Sequence, residues 1–272
     1  MRKIESIAEL NNLLQTFEGT KYQTNAYFFE NEIIEFIESG TLFFDVFSTN
    51  LLLYKYNVDF EFFEMYYYIR EQLNKIVISD DFTFVMEIPY RGTNNFPTDI
   101  VDFWKNSGFV AHLNRDLLRL VNPKESSLII LDKPIEYRIL DNLNFAQLVC
   151  ESIQNTFDTF TGDILTLDEV CTFIKSKNFI GAYKDGELCG FLRFYVKNKV
   201  AWASHLIVLP KFRGEGIGNG LFCYYLKINN DEGLNNFQHW VVSDNLAALK
   251  LYDNLGYKAT NKNSISLLKI KK

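Results

Sequence analysis

The stretch LIVLPKFRGEGIGNGLF, residues 206–222, holds four glycines within seven positions. A β-branched run comes before them and a new apolar run follows, which predicts a strand at 200–209 and a helix at 217–229. An ordinary turn needs one or two glycines, whereas this loop leaves most of its backbone without side chains. The pattern therefore predicts a main chain that is approached closely by another group.

The first amides of the predicted helix are suited to an anion. They have no acceptor within the helix, and the helix dipole leaves roughly half a positive charge on them. Glycines let a bulky phosphate reach these amides, and Arg213 adds a charged donor at the mouth of the loop. The sequence therefore predicts a phosphate-binding loop directly after strand 200–209.

Two other glycine-loop chemistries fit less well. A nucleoside triphosphate loop needs a lysine directly after the glycines, and none follows them here. A dinucleotide fingerprint fits GEGIGNG loosely, but it belongs to the first βα unit of a parallel sheet. Here the loop comes late in the chain, after a predicted antiparallel hairpin at 179–196 that turns on Asp185 and Gly186.

Composition narrows the class of protein. Of 272 residues, 47% are hydrophobic and 16% aromatic, which is ample for one large domain or two ordinary ones. The net charge of -6 and the lack of a long basic run disfavour nucleic acid binding. The N-terminus meets charge before any apolar segment, and no apolar stretch approaches the roughly 18 residues of a membrane span. We therefore expect a cytoplasmic protein without membrane association.

The cysteines do not suggest a metal site. They stand at positions 150, 171, 189 and 223, without CxxC spacing and without a nearby histidine pair. Buried thiols are the better interpretation, and we expect no metal.

A weak repeat divides the chain into two related halves. The segments 100–120 and 249–270 share an aromatic residue, three further positions with Asn second, then Gly and an aromatic residue, then an apolar strand. Such a transition also arises by chance, but the similar hairpins before it favour a tandem. The polar segment 121–127, VNPKESS, is the predicted linker. We place the domains at 1–131 and 132–272.

The glycine loop and a second motif together resemble one family. LIVLPKFRGEGIG is similar to motif A of the GNAT superfamily of acetyl-CoA-dependent N-acyltransferases, with Arg213, Gly216 and Gly218 in register. NLAALKLYDNLGY, residues 245–257, supplies the downstream landmark of that family, in the usual order and spacing. The resemblance covers roughly 135–272, whereas the first half resembles the family only through the repeat.

The resemblance implies an α/β (α+β) fold of tandem GNAT-like domains. Each domain would be a mixed, mostly antiparallel twisted sheet flanked by helices. In the C-terminal domain, the fourth strand (200–209) and the fifth strand (237–242) would splay apart in a V shape. The pantetheine arm of acetyl-CoA would lie in that gap as though it were a missing strand.

The resemblance also implies the cofactor-binding residues. Ile207 and Val208 would offer backbone groups to the arm and the acetyl carbonyl, and Asn245 would face the arm from the other side. The diphosphate would rest on residues 213–220, which are Arg213, Gly214, Glu215, Gly216, Ile217, Gly218, Asn219 and Gly220.

Acetyl transfer needs a neutral amine, a polarised thioester carbonyl and often a proton for the departing thiolate. The resemblance places Tyr252 as that proton donor, and the alternative is a packing aromatic on an amphipathic helix. Some relatives carry a glutamate base just before Val241, where this chain has Trp240. His205 and His239 are the remaining candidate bases, although each could be structural, and water could relay the proton instead.

The first half lacks the same features. The segment 70–79, REQLNKIVIS, has no glycine, and Trp104 and Pro97 stand where the second half has Tyr252 and Asn245. We predict an inactive copy that covers the open sheet, shapes the acceptor pocket or takes the place of a dimer partner.

The predicted function is transfer of an acetyl group from acetyl-CoA to a primary amine on a small molecule, or on a peptide, by a monomer or homodimer. The alternative is a CoA-binding sensor or scaffold without turnover. A nucleotide-dependent oxidoreductase is a distant third.

Overall fold

The structure is a computed structural model, and it describes residues 1–28, 30–70, 75–128 and 134–272. The chain forms two compact units. Unit 1 comprises Met1–Asn114 and Asn263–Lys272, and unit 2 comprises Arg115–Lys262. The predicted boundary between residues 131 and 132 lies outside the described residues, so that boundary stays a prediction. Part of the first-half segment 70–79, at 71–74, also lies outside them.

Seven α-helices and thirteen strands are formed by the described residues, with runs of consecutive strands at 42–91 and 179–208. The helices of the described residues are α1 (Ile7–Gln15), α2 (Glu30–Glu38), α3 (Thr98–Asn106), α4 (Ala146–Thr156), α5 (Leu167–Lys175), α6 (Ile217–Asp231) and α7 (Leu246–Leu255). The strands are β1 (Arg2–Lys3), β2 (Gln23–Thr24), β3 (Leu42–Phe47), β4 (Asn50–Asn57), β5 (Phe62–Ile69), β6 (Phe84–Arg91), β7 (Val110–Val121), β8 (Glu136–Ile139), β9 (Phe179–Lys184), β10 (Glu187–Lys197), β11 (Val200–Val208), β12 (Asn236–Val242) and β13 (Lys258–Lys269).

Most elements agree with the sequence patterns. The predicted hairpin at 179–196 is confirmed as β9–β10, and the predicted helix after the glycine loop is α6. The pattern of alternating apolar residues at 42–48 and 51–56 also predicts a hairpin, which is confirmed as β3–β4. Two elements have weak sequence patterns and were not predicted: α1, in which only Leu10 is fully buried, and β6, in which Pro89 interrupts the strand pattern. The segment 121–127, predicted as a linker, lies within unit 2, where Ser127 donates a hydrogen bond to the Leu255 carbonyl at 3.1 Å.

Unit 2 is a sheet with helices on both faces. Its strands follow the order β7-β12-β11-β10-β9-β8, and each neighbouring pair except β11–β12 is antiparallel. One core packs α6 and α7 against the sheet through Leu221, Tyr225 and Leu255. The other core packs α4 and α5 against the opposite face through Val149 and Ile174. Both faces of the central strands are therefore covered.

The parallel pair in unit 2 parts soon after it begins. Among the described residues, β11 and β12 pair only at Ala201↔Phe237 and Trp202↔Gln238. Beyond these positions β11 runs on to Val208 and β12 to Val242. The predicted V-shaped splay between the fourth and fifth strands of the C-terminal domain is therefore confirmed.

Unit 1 has a similar sheet. Its strands β1, β3, β4, β5 and β6 follow one another in that order, and residues 263–269 of β13 come next to β6. The core packs α3 against this sheet through Val101 and Trp104, with Tyr67 of β5 beneath. β5 and β6 are parallel, and in the described part of the chain they pair only at Phe63↔Phe84 and Glu64↔Val85. Unit 1 thus repeats the parted parallel pair of unit 2.

The two helix ends that suggested a repeat have the same backbone geometry. Gly108 after α3 has φ 95° and Gly256 after α7 has φ 93°, so both are left-handed. The amide of Phe109 donates to the Trp104 carbonyl at 3.1 Å, and the amide of Tyr257 donates to the Tyr252 carbonyl at 3.0 Å. Matching caps place Trp104 and Tyr252 at equivalent helical positions.

Candidate functional site

The glycine loop leaves the start of α6 without a cap. After β11, a short turn at Pro210–Phe212 leads into Gly214 with φ 83° and Gly216 with φ 78°. Both angles are left-handed, which explains why glycine stands at these two positions. Gly216 is the N-cap residue of α6, and having no side chain it gives no acceptor to the helix.

Four consecutive amides at this helix start are therefore available to a ligand. Within the described ranges, no hydrogen bond uses the N–H groups of Gly216, Ile217, Gly218 or Asn219. α6 is 15 residues long, so its dipole adds partial positive charge at the same place. The geometry suits a phosphate or diphosphate.

Gly220 lies in the same motif but has another structural reason to be glycine. Its amide donates to the Gly216 carbonyl at 3.2 Å, so it is already used within the helix. A Cβ atom at Gly220 would lie 2.0 Å from the Tyr137 hydroxyl. Close packing of α6 on β8 therefore explains this glycine.

Two charged side chains of the loop already have protein partners. Arg213 donates from Nε to the Val208 carbonyl at 3.1 Å, which is one of the backbone groups predicted to bind the arm. Glu215 accepts a hydrogen bond from Lys184 Nζ at 3.0 Å, and this bond raises the pKa of Lys184. Arg213 is exposed, so its side chain can turn towards a phosphate without disturbing the core.

The edge of β11 beyond Trp202 borders an open gap. None of the hydrogen bonds in the described residues joins 204–208 of β11 to 239–242 of β12. A bulge lies in the same stretch of β11, because Leu192 and Phe194 of β10 pair with Leu206 and Ala203 of β11. Ser204 and His205 of β11 thus oppose the single residue Arg193 of β10, which bends β11 at 204–205. Ile207 and Val208 follow directly after this bend.

A glycine that the sequence motifs do not include supports the bent strand. A Cβ atom at Gly190 of β10 would lie 2.6 Å from the Ile207 carbonyl and 3.2 Å from the Val208 Cα. Its only sequence signal is a glycine inside a strand pattern, which indicates a close approach of two backbones.

Asn245 and Tyr252 lie on α7. Asn245 caps this helix, since its Oδ1 accepts from the Ala248 amide at 3.1 Å. Tyr252 is buried, and its ring lies 5.1 Å from the ring of Phe222 on α6. Burial raises the pKa of Tyr252 well above its ordinary value, so the hydroxyl keeps its proton at physiological pH. A neutral hydroxyl is what a hydrogen-bond donor to a leaving thiolate requires.

His239 of β12 packs directly against Tyr252. The two ring centroids are 3.9 Å apart, and Tyr257 lies 4.6 Å away on another side of the imidazole. His239 is 2% exposed, and neither ring nitrogen has a hydrogen-bond partner among the described residues. Burial lowers the pKa of His239 to about 3, so the imidazole is neutral.

His205 is held by the protein at both ring nitrogens. Nε2 lies 3.0 Å from the Gly162 carbonyl, and Nδ1 lies 3.0 Å from the Ser204 hydroxyl. The carbonyl can only accept, so Nε2 carries the proton and Nδ1 accepts from Ser204. Burial lowers the pKa of His205. These contacts are typical of a structural histidine, although its predicted role as a base stays a prediction.

Trp240 stands where the sequence analysis noted a missing glutamate. Its side chain is 42% exposed. Phe237 and Val241 belong to the core under α6 and α7, so strand alternation points Trp240 to the opposite face of the sheet. Trp240 offers no carboxylate for proton removal.

In unit 1 the space between the parted strands β5 and β6 is filled by residues 23–25. Gln23 and Thr24 of β2 pair with Ile69 and Tyr68 of β5, on the edge that faces β6 because β4 occupies the other edge. Asn25 then bridges the two parted strands.

The Asn25 side chain makes three hydrogen bonds in that gap. Its Nδ2 donates to the carbonyls of Met65 at 3.1 Å and Glu87 at 3.0 Å, and its Oδ1 accepts from the Tyr67 amide at 2.8 Å. Asn25 is 6% exposed. In unit 1 the Asn25 side chain therefore lies between the two parted strands, whereas in unit 2 the corresponding space between β11 and β12 is open.

Two further features of the described residues bear on the class of site. They contain no group of three His, Cys, Asp or Glu side chains that could hold a metal ion. No helix that they form is both long and apolar enough to span a membrane.

The parted strands and the uncapped helix define a domain of the GNAT class. Residues 148–257 match the family model described as the acetyltransferase (GNAT) family, so this part of the chain is a GNAT domain. It carries the fold of a family of acyltransferases. No curated protein sequence is significantly similar to the chain.

Solved structures extend the likeness to the whole chain. A tandem GNAT protein from the clavulanic acid biosynthesis pathway is 10% identical, with 98% of this chain and 97% of that chain covered and a TM-score of 0.61. A GNAT-family acetyltransferase from Colwellia psychrerythraea is 14% identical, with 99% of each chain covered and a TM-score of 0.54.

A third relative is the GCN5-related N-acetyltransferase from Sphaerobacter thermophilus, which is 11% identical. The likeness covers 81% of this chain and 76% of that chain, with a TM-score of 0.58. Identities this low show the fold alone. The chain therefore has the tandem GNAT fold.

Proposed function

We propose that unit 2 transfers the acetyl group of acetyl-CoA to a primary amine. The amides of Gly216, Ile217, Gly218 and Asn219 would hold the diphosphate, with the Arg213 guanidinium beside it. The arm would follow the open edge of β11, where the backbone of Ile207 and Val208 would pair with its amide groups. Asn245 would face the arm from α7.

One observation carries this proposal. The uncapped start of α6 stands at the end of β11, the same strand that parts from β12. An anion site and a gap for an extended chain are thus consecutive along one backbone. A diphosphate joined to a long amide-containing arm has both parts in that order, whereas a simple phosphate ester needs only the first.

Direct attack fits the polar groups around the gap. The amine nitrogen attacks the thioester carbonyl carbon, the C–N bond forms, and the C–S bond breaks to release a thiolate. Tyr252 would donate a hydrogen bond to that thiolate. Its raised pKa makes it a weaker acid than a thiol, which has an ordinary pKa of about 8.5, so it stabilises the leaving group without losing its proton.

Proton removal from the amine falls to water in this proposal. Trp240 has no acidic group, and both nitrogens of His205 already have partners. Burial lowers the pKa of His239 to about 3, so its imidazole is a poor base. The acceptor would therefore bind partly deprotonated, and bulk water would take the proton. This absence of a built-in base also favours a second candidate function, a CoA-binding sensor or scaffold that turns over slowly or not at all.

The proposal also includes an acceptor, a compartment, an oligomeric state and a role for unit 1. The acceptor is a small-molecule amine, with a peptide as the alternative. We place the reaction in the cytoplasm, where acetyl-CoA is available, and the active species is a monomer or a homodimer. Unit 1 is an inactive copy whose gap is filled by Asn25.

Substitution of the N-cap glycine tests the proposed diphosphate site at the start of α6. Gly216→Glu puts a carboxylate beside the amides and should weaken CoA binding at least about 100-fold, which corresponds to about 2.7 kcal/mol. Gly216→Gln is the matched control, because it brings the same bulk and the same left-handed strain without the charge. Titration calorimetry with CoA measures both. If Gly216→Glu binds CoA as tightly as the wild type, the amides at the start of α6 do not bind the diphosphate.

Thiol release separates the enzyme from the sensor. Wild-type protein with acetyl-CoA and a panel of polyamines and aminoglycosides should release free CoA thiol. Tight CoA binding without release across the panel would support the sensor, and a melting temperature raised by NAD instead of CoA would contradict both functions.

A further inference from the structure

The carboxylate of Glu215 is the acidic group nearest along the chain to the proposed diphosphate site. Glu215 directly precedes Gly216, the N-cap residue of α6, and it stands between two glycines with left-handed φ angles of 83° and 78°. A helix start with free amides and a positive dipole end attracts a nearby carboxylate. A Glu215 carboxylate that turned towards these amides would compete with a bound phosphate and repel it.

The β9–β10 hairpin binds this carboxylate. Lys184, the last residue of β9, donates from Nζ to Glu215 Oε2 at 3.0 Å. This bond raises the pKa of Lys184, so the ammonium stays charged at physiological pH. In the described part of the chain α6 receives no side-chain cap, so Glu215 accepts from Lys184 and not from the start of the helix.

Two further contacts join the hairpin to the glycine loop. The Leu209 amide donates to the Cys189 carbonyl of β10 at 2.8 Å. Lys211 forms an ion pair with Glu187, the residue that pairs with Lys184 across the turn of the hairpin. Each side thus supplies one lysine and one glutamate to the other. The backbone position of Lys184 relative to the loop is therefore set by several contacts.

The Lys184–Glu215 ion pair matters more for an anion than for folding. The two side chains are 34% and 41% exposed, and exposed ion pairs contribute little to the free energy of unfolding. A diphosphate, however, carries at least two negative charges, each of which an unscreened carboxylate at the loop would repel. Loss of Lys184 should therefore change the affinity for the anion and leave the fold intact.

We propose that Lys184 is a positioning residue of the cofactor site: it holds the Glu215 carboxylate and screens its charge, which leaves the amides at the start of α6 to the diphosphate. This inference rests on the function proposed for unit 2. Lys184 does not itself contact the diphosphate. A lysine of the hairpin thus keeps an acid of the glycine loop from blocking the site beside it.

Four variants and one control test the inference by titration calorimetry with CoA. Lys184→Met removes the charge, Lys184→Arg keeps it, Glu215→Gln removes the carboxylate, and the double variant Lys184→Met/Glu215→Gln removes both. Lys227→Met is the matched control, because it breaks an ion pair with Asp231 and removes the same charge from unit 2. Lys227 lies on α6 about 15 Å along the helix from Ile217, beyond the range of about 10 Å at which exposed charges interact in 0.1 M salt.

We expect Lys184→Met to weaken CoA binding about fivefold to tenfold, because the Glu215 charge is then no longer screened by this partner. Lys184→Arg and Lys227→Met should bind CoA within about twofold of the wild type. The double variant should bind within about twofold of Glu215→Gln alone, since no carboxylate is left to screen. The loss in Lys184→Met should also shrink at 1 M salt, at which charges are screened within about 3 Å.

Two results would overturn the inference. If Lys184→Met binds CoA as tightly as the wild type, the diphosphate site does not depend on this ion pair. If Lys184→Met loses the same factor with and without the Glu215 carboxylate, Lys184 contacts the ligand directly. Dephospho-CoA, which lacks the 3′-phosphate, then shows whether that phosphate is the contact. Rescue by Glu215→Gln, by contrast, excludes misfolding of Lys184→Met as the cause of its loss.

Failure of the proposed function gives a different result. If the wild type binds CoA but releases no thiol, the titrations decide the role of Lys184 as before. If the wild type binds no CoA, titration with inorganic diphosphate tests the anion site alone. A loss in Lys184→Met that Glu215→Gln rescues would then support the role of Lys184 and leave the transferase wrong, whereas no binding of diphosphate by the wild type would end both.

Discussion

Tyr252 is the residue whose hydroxyl the proposed reaction needs most directly. Tyr252→Phe removes the donor to the thiolate and keeps the ring that packs on His239, so kcat should fall about tenfold to 100-fold. CoA affinity should stay within twofold. Because burial raises the pKa of Tyr252, the wild-type rate should show no loss from its ionisation up to pH 10.

Tyr257→Phe is the control for this substitution, as the Tyr257 hydroxyl is buried without a partner in the described residues. Its kcat should equal that of the wild type. Full activity of Tyr252→Phe in a thiol-release assay would reassign Tyr252 to packing.

The burial of His239 predicts how the stability of the protein depends on pH. Its pKa is about 3 in the folded protein, against an ordinary value of about 6.5 for the unfolded chain. Between these values the unfolded chain binds a proton that the folded protein does not, so acid favours unfolding. The wild type should lose stability below pH 6.5, by up to about 1.4 kcal/mol per pH unit from this group.

His239→Phe removes that contribution. Urea unfolding at pH 7 and pH 5 should show a difference between wild type and variant that changes by about 2 kcal/mol. Parallel pH dependence in the two proteins would mean that water reaches His239 and that its pKa is near the ordinary value.

Single residues also show where sequence reasoning ends. Glycines at 214 and 216 are required by their left-handed backbone, which the motif predicts directly. Gly220 depends on the Tyr137 hydroxyl, a neighbour 83 positions away that no local pattern reveals. One partner of His205 is equally remote, since Gly162 lies 43 positions earlier. Sequence spacing can therefore identify a histidine as a candidate base, but only the structure shows whether its ring nitrogens already have hydrogen-bond partners.

β2 is the element that distinguishes the gap of unit 1 from the gap of unit 2. Asn25→Ala breaks three hydrogen bonds and leaves the Tyr67 amide and two carbonyls without that partner. We expect a loss of about 2–4 kcal/mol in the free energy of unfolding, with faster exchange of the Tyr67 amide. Urea unfolding and hydrogen exchange measure these effects.

Asn95→Ala is the control, because Asn95 makes an exposed hydrogen bond to the Arg91 carbonyl. It should change stability by less than about 0.5 kcal/mol. If Asn25→Ala costs no more than the control, the segment does not hold the two strands of unit 1 together.

Elements with a strong periodic pattern were predictable, and short ones were not. The β9–β10 hairpin and α6 follow from alternation and from the glycine loop. β2 has two residues, and its role depends on the Asn25 side chain reaching backbone groups 40 to 62 positions away. No periodicity exists in a segment that short.

The two units divide the chain differently from its sequence repeat. β7 supplies residues to unit 1 up to Asn114 and to unit 2 from Arg115, while β13 supplies unit 2 up to Lys262 and unit 1 afterwards. A sequence pattern identifies both strands as apolar, but it does not tell which sheet receives each half. The repeat of helix, glycine and strand was therefore readable from the sequence, whereas the return of residues 263–272 to unit 1 was not.

The whole chain should bind one CoA. Unit 2 has uncapped amides beside an open gap, whereas the gap of unit 1 is filled by Gln23–Thr24 and Asn25. Titration calorimetry should give one site per chain, and Gly216→Glu should abolish it without leaving a second, weaker site. Two sites in the wild type, or one surviving in the variant, would show that Asn25 gives way to a ligand and that unit 1 keeps a binding function of its own.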